Sequence, residues 1–288
     1  MDGSRFARAA LAATLAVGVV LSATGCGAAS AAASRPLVVV SLGQSNAVGT
    51  NADWDPDADA PDPHVKVWGT NPEAAAYHEL VPSSAAPGGM RSTATALDGL
   101  PASLGLANRI AEETGRDVIV VPAAVAGAGF RSWTAFPAAW DVDGVGGALN
   151  LAEQAISEVE AALAASGGEL HALVWQQGET DAIAGMSSAE YTAELTALVA
   201  RVQERIPGAR DARWLFTSLI PESHARLPGA AAIDAALADM PAHVDGSAYV
   251  PIPPGHNASG DGLHLDASGA RLVGALLADA AELASPET

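Results

Sequence analysis

Four continuous apolar runs, separated by helix-length segments, set the strongest limit on how this chain can fold. Leu37–Leu42, Asp117–Val125, Leu170–Gln176 and Arg213–Ile220 place apolar residues at successive positions, not alternate ones. Strands of that kind hide both faces. Helical stretches lie between and after them: Pro101–Thr114 with Gly115 as its stop, Gly147–Ala165 ended by Gly167-Gly168, Ser188–Ile206 capped by Ser187 or Ser188, and Pro228–Met240. A last helix starts at Asp266 or Ala267 and runs to about Leu283. Strands alternating with helices imply right-handed βαβ crossovers, hence an α/β fold: a three-layer αβα sandwich around a central parallel sheet. Two shorter extended segments join it, Val65–Trp68 and Tyr249–Ile252, the second placed at an edge or terminus by Pro251. Residues 69–100 show little periodicity, and a loop of that length is usually functional or mobile.

The segment before the first strand belongs to export. Arg5 and Arg8 precede an apolar run, Ala9–Ala23, that is too short to span a bilayer comfortably. Ala23-Thr24-Gly25-Cys26 resembles a bacterial lipoprotein signal, with Cys26 as the lipidation site; an ordinary secretory signal is the alternative. Residues 1–25 are thus read as signal peptide, 26–36 as a flexible tether, and 37–288 as one domain. Cys26 is the single cysteine, so no intrachain disulfide supports the fold. The formal charge of −19 becomes −20 once residues 1–25 are removed. Such acidity argues against nucleic acid and anionic membranes as partners and suits a neutral substrate; the remaining membrane contact would run through the lipid anchor.

Three islands carry chemistry. Gly43-Gln44-Ser45-Asn46 closes the first strand, Trp175-Gln176-Gln177-Gly178-Glu179 closes the fourth apolar strand when Val65–Trp68 is included, and Asp261-Gly262-Leu263-His264 precedes the last helix. Sites in open parallel sheets form at the carboxyl ends of strands. Ser45 there is a candidate nucleophile, with a turn serine as the plainer reading. Asp261, three residues before His264, can orient the imidazole and stabilise the imidazolium. Asp266 competes as a carboxylate but fits a helix cap, and His256 competes as a base but has no acidic residue three before it. Gln177 offers amide donors that could face a tetrahedral oxyanion or bond a neighbouring loop. Glu179 and Asp181 fit loop-fixing carboxylates, paired with an arginine such as Arg131.

The ordered set G-Q-S-N, W-x-Q-G-E-x-D and D-G-L-H resembles the SGNH hydrolase superfamily, whose fold is flavodoxin-like. Within it the set is similar to the sialate O-acetylesterase-like branch that includes carbohydrate esterase family six, the acetylxylan esterases. The resemblance spans residues 37 to about 285. It implies Ser45 as nucleophile, His264 as base, Asp261 as its partner, and Gln44, Asn46 and Glu179 as supporting residues. It implies an oxyanion hole made of the Ser45 and Gly127 N–H groups and the Gln177 side chain. The family's glycine-rich block maps to Val125-Ala126-Gly127-Ala128-Gly129 with Trp133, where Ala126 replaces the first of two glycines. The expectation is a serine esterase that removes O-acetyl groups from carbohydrate, needing no metal or organic cofactor. A general short-chain or cell-wall glycan esterase is an alternative, as is a non-catalytic glycan-binding lipoprotein.

Other patterns carry less. Asp53, Asp55, Asp57 and Asp59 invite a calcium loop, but Ala58 and His64 stand where the glycine and glutamate are needed, so the run reads as an acidic surface loop. Trp54, Trp133 and Trp140 are candidates for stacking on sugar, with ordinary packing as the alternative for each. Asn257-Ala258-Ser259 is a glycosylation sequon without consequence for a bacterial export signal.

Overall fold

The computed structural model describes residues 35–51, 53–55, 57, 59, 62–82, 99–131, 138–143 and 149–283. The expected signal segment, Cys26 and the tether up to residue 34 lie outside the described residues, as does Trp133. Arg35 already binds the domain, donating to the carbonyls of Gly167 and Gly168 at 2.8 Å each.

In chain order the elements are β1 (Leu37–Gly43), α1 (Ser45–Val48), β2 (Val65–Trp68), β3 (Leu80–Pro82), α2 (Ala102–Thr114), β4 (Val118–Ala124), β5 (Ala138–Ala139), β6 (Leu149–Asn150) and α3 (Leu151–Ser166). Then come β7 (Glu169–Gln176), α4 (Glu179–Ile183), α5 (Ser188–Arg205), β8 (Arg213–Thr217), α6 (Ala230–Asp239), β9 (Ala248–Val250) and α7 (Ala267–Leu283). The main sheet has seven strands in the order β3-β2-β4-β1-β7-β8-β9. Every neighbouring pair is parallel except β2 and β3. The expected parallel sheet is therefore present and carries one antiparallel edge strand in a region that shows no period in sequence. β9 forms the opposite edge and ends at Val250, just before Pro251, so the segment is both an edge strand and a strand terminus there.

Both faces of the sheet are covered. Val38, Val40 and Leu42 of β1 pack in one core with Ile156 and Val159 of α3, Leu195 and Val199 of α5 and Ile233 of α6. Leu37 and Val39 pack in the other with Leu106 and Ile110 of α2 and Val273 and Leu277 of α7. Successive residues of one strand thus enter opposite layers, which is why the run is continuously apolar. Helix ends follow local chemistry. Ser187 and Glu190 form a capping box on α5. α3 starts at Leu151, later than the expected Gly147, because the Asn150 side chain accepts from Glu153 N–H at 3.0 Å. β8 stops at Thr217, before the expected Ile220, since Leu219 N–H turns to the Asp234 carboxylate at 2.8 Å.

Two expectations for the Asp-rich loop and the tryptophans are corrected. Asp59 is not a surface residue: it is buried and forms a bidentate pair with Arg271 of α7 at 2.6 and 2.8 Å. Asp53 accepts from Ala267 N–H at 2.9 Å. The loop is therefore fastened to α7. Trp140 is wholly buried and edge-on to Trp175, with centroids 5.2 Å apart, so it is core and not a sugar platform. Trp54 is half-buried against the α2/α7 core.

Candidate active site

β1 lies at the centre of the sheet, with β4 on one side and β7 on the other. The chain leaves these three strands in opposite directions across the sheet, which opens a crevice at their carboxyl ends. Ser45, Gly127 and Gln177 all follow those ends within three residues.

Gly43 makes the exit from β1 possible. Its φ is +131°, and a β-carbon there would sit 2.1 Å from the Gln176 carbonyl oxygen. A side chain would collide with β7, so the turn that presents Ser45 requires glycine. Ser45 opens α1, and its backbone N–H has no acceptor among the described residues, as expected at a helix start. Beyond β4, Ala128 N–H closes a turn on Val125 O at 3.2 Å. The positive φ of this turn, +75°, falls on Gly127 and not on Ala126. Alanine is tolerated at 126 for that reason: the glycine the backbone needs is the one retained.

The loop before α7 brings His264 to Ser45. His264 Nε2 lies 3.0 Å from Ser45 Oγ, and its Nδ1 lies 2.7 Å from Asp261 Oδ2. The other Asp261 oxygen accepts from the N–H groups of Leu263 and His264 at 2.8 and 3.0 Å and from the Asn257 amide at 2.8 Å. Burial pushes the Asp261 carboxyl up, but the His264 ring, those backbone N–H groups and Asn257 outweigh it and hold the group far below the usual carboxylate range. Asp261 is therefore ionised at any physiological pH. The competitors fall elsewhere: Asp266 accepts from Gly269 N–H at 2.7 Å and caps α7, while His256 contacts Ser268 at 3.2 Å.

Asn257 is a site residue that the sequence did not reveal. It donates to Asp261 and to His264 O and accepts from Gly262 N–H, so it fixes the loop that carries both catalytic candidates. Its sequon drew attention to the wrong property. The usable signal was an asparagine four residues before an aspartate in a glycine-rich loop.

Below the serine lies a buried polar layer. Gln177 is 1% exposed. Its Nε2 donates to Asp181 Oδ2 at 2.6 Å and makes longer contacts of 3.2 Å to Gln44 Oε1 and Ala128 O. Its Oε1 accepts from Tyr191 at 2.8 Å. Gln177 thus spends its donors inside the protein in this structure. Gln44 Oε1 also meets the N–H groups of Gly178 and Thr180. Asp181 pairs with Gln177 and Phe130 N–H, whereas the expected partner Arg131 bridges Glu190 at 3.0 Å. Burial pushes the Asp181 carboxyl up to about 6 against those hydrogen bonds. Glu179 is buried too; desolvation raises its carboxyl, opposed by its own N–H and by the Asn46 amide. Among the described residues no cluster of side chains could hold a metal ion, and no helix is long and apolar enough to cross a membrane.

A family model described as carbohydrate esterase, sialic acid-specific acetylesterase, matches residues 36–282. Among solved structures, NanS is similar at a TM-score of 0.66 with 17% identity, over 87% of this chain and 97% of that one. A protein from Arabidopsis thaliana gives a TM-score of 0.66 with 17% identity, over 86% and 98%. A carbohydrate acetylesterase from Xanthomonas citri gives 0.56 with 18% identity, over 86% of this chain and 56% of that one. No curated protein matches the chain in sequence.

Proposed function

The chain belongs to the carbohydrate esterase family of sialic acid-specific acetylesterases and is a carboxylic ester hydrolase, and we propose that it removes O-acetyl groups from carbohydrate with Ser45 as nucleophile. The observation that supports this most is the unbroken relay from Ser45 through His264 to Asp261, at 3.0 and 2.7 Å. His264 takes the Ser45 proton as Oγ bonds to the acetyl carbon. Asp261 stabilises the resulting imidazolium. The tetrahedral intermediate collapses, its bond to the sugar oxygen breaks, and His264 returns the proton to that oxygen. Water, deprotonated by His264, then attacks acetyl-Ser45 and releases acetate.

The oxyanion would be met by the N–H groups of Ser45 and Gly127. Gln177 can join by turning one amide hydrogen from a 3.2 Å contact, the weaker of its bonds, towards the developing charge. The substrate reading is an O-acetylated sugar such as acetylated xylan, an acetylated sialic acid or a cell-wall glycan fragment. Export through residues 1–25 with lipidation at Cys26 is part of the same proposal, and mass spectrometry of the mature N-terminus tests it.

The decisive assay follows acetate release from 4-nitrophenyl acetate and from a panel of acetylated xylan, sialic acid and peptidoglycan fragments. Wild type turns over the activated ester and at least one glycan, and Ser45→Ala abolishes both. Equal rates for the two proteins would remove Ser45 from the mechanism. Folded wild type without turnover on any acetyl ester would favour a binding protein.

A further inference from the structure

We propose that Asn46 is the positioning residue of the catalytic histidine: its side-chain amide clamps the backbone on both sides of His264 and is itself anchored on Glu179. This inference rests on the serine mechanism above. Asn46 follows Ser45 directly, so whatever it holds is held relative to the nucleophile. Its Nδ2 donates to Leu263 O at 2.9 Å, and its Oδ1 accepts from Leu265 N–H at 2.9 Å. Leu263 and Leu265 are the two neighbours of His264. The second Nδ2 hydrogen goes to Glu179 Oε1 at 2.7 Å. One amide therefore ties together the exit of β1, the exit of β7 and the loop before α7.

The chemistry of the side chain suits this task. Two donors and one acceptor are needed at fixed angles in a site where Asn46 is 6% exposed. Aspartate has the acceptors but no donor when ionised, and serine has one donor only. The anchor is equally specific. Glu179 is buried, and its second carboxylate oxygen has no hydrogen-bond partner, so Asn46 is its one side-chain ligand among the described residues. Apart from the Ser45–His264 hydrogen bond itself, the Asn46 bonds are the direct side-chain link between these two segments among the described residues. A catalytic base displaced by about 1 Å can cost on the order of 10²-fold in rate. The clamp controls that kind of displacement.

The test is a double-mutant cycle on 4-nitrophenyl acetate. Asn46→Ala in the wild-type background lowers kcat by about 10²-fold with KM nearly unchanged, while the fraction of protein phosphonylated at Ser45 by an organophosphonate ester at long exposure stays complete. In the His264→Ala background there is no base left to position, so adding Asn46→Ala changes the residual rate by less than about threefold. Asn46→Asp, which keeps the shape and one acceptor, behaves like Asn46→Ala and serves if the alanine variant does not fold. A kcat within about threefold of wild type for both Asn46 variants overturns the clamp. So do losses that multiply in full with His264→Ala, because they would mark a brace that acts without the histidine. Absence of turnover in wild type is a different result and overturns the serine-esterase reading itself.

Discussion

At the rim of the site, the side chains of His264 and Asp261 keep 32% and 35% of their surface exposed. At its floor, Gln177 and Asp181 keep 1% each. The rim is solvated loop, held by short hydrogen bonds from Asn257 and from backbone N–H groups. The floor is a buried polar layer wedged under the strand ends, in which Gln177 bonds Asp181, Gln44 and Tyr191. The two regions strain the protein in opposite senses. Asp261 is favoured as an anion, so its charge is available for the imidazolium at no further cost. Asp181 is disfavoured as an anion, so the floor costs stability wherever it is ionised. His264 and Asp261 lie at the solvated rim, whereas Ser45 and Asn46 beside them are buried.

That contrast can be broken most strongly at the rim. Asp261→Asn retains the shape of the loop but loses the charge, and kcat/KM should fall on the order of 10³–10⁴-fold with little change in Tm. A large fall in Tm with modest loss of activity would show that Asp261 serves the loop more than the imidazole. At the floor, the sign is set by the raised carboxyl of Asp181. Between the ordinary value of 3.8 and about 6, the folded chain keeps a proton that the unfolded chain has released. Stability from this group is therefore present below that window and is lost as pH rises through it, by up to about 3 kcal/mol. Urea unfolding of wild type and Asp181→Asn at pH 4.5 and 7 should show that difference in slope. Identical slopes would place the ionised form comfortably in the floor. The smallest effect belongs to Asn257→Ala, which removes one support from Asp261. We expect about tenfold in kcat/KM and about 1 kcal/mol in stability. A loss as large as that of Asp261→Asn would make Asn257 an equal member of the relay.

Much of the layer order was legible in the sequence because buried parallel strands leave a plain trace. Val38, Val40 and Leu42 face one core while Leu37 and Val39 face the other, so every position is apolar. β3 left no trace because it is a three-residue edge strand with Leu80 and Pro82 exposed, and nothing on it needs to be hydrophobic. α4 is short and begins with Glu179 and Asp181, whose burial could not be inferred from their charge. The Ser45–His264–Asp261 relay was legible because its members stand at strand ends or before a helix. The clamp and the floor were not. Asn46, Asn257 and Gln177 act through backbone atoms and amide networks that depend on which loops meet. Trp140 misled for a related reason: its surroundings read as loop, yet a parallel pairing of β5 with β6 carries it into the core.

The exit from β1 also has a consequence for anyone who surveys all substitutions in this chain. Position 43 would tolerate almost nothing and would score beside Ser45, the proposed nucleophile. Its intolerance would come from the carbonyl of Gln176, which occupies the volume that any other residue would need. A mutational map of this enzyme would thus mark two kinds of indispensable position, and only purified, folded variants would tell a lost reaction from a lost turn.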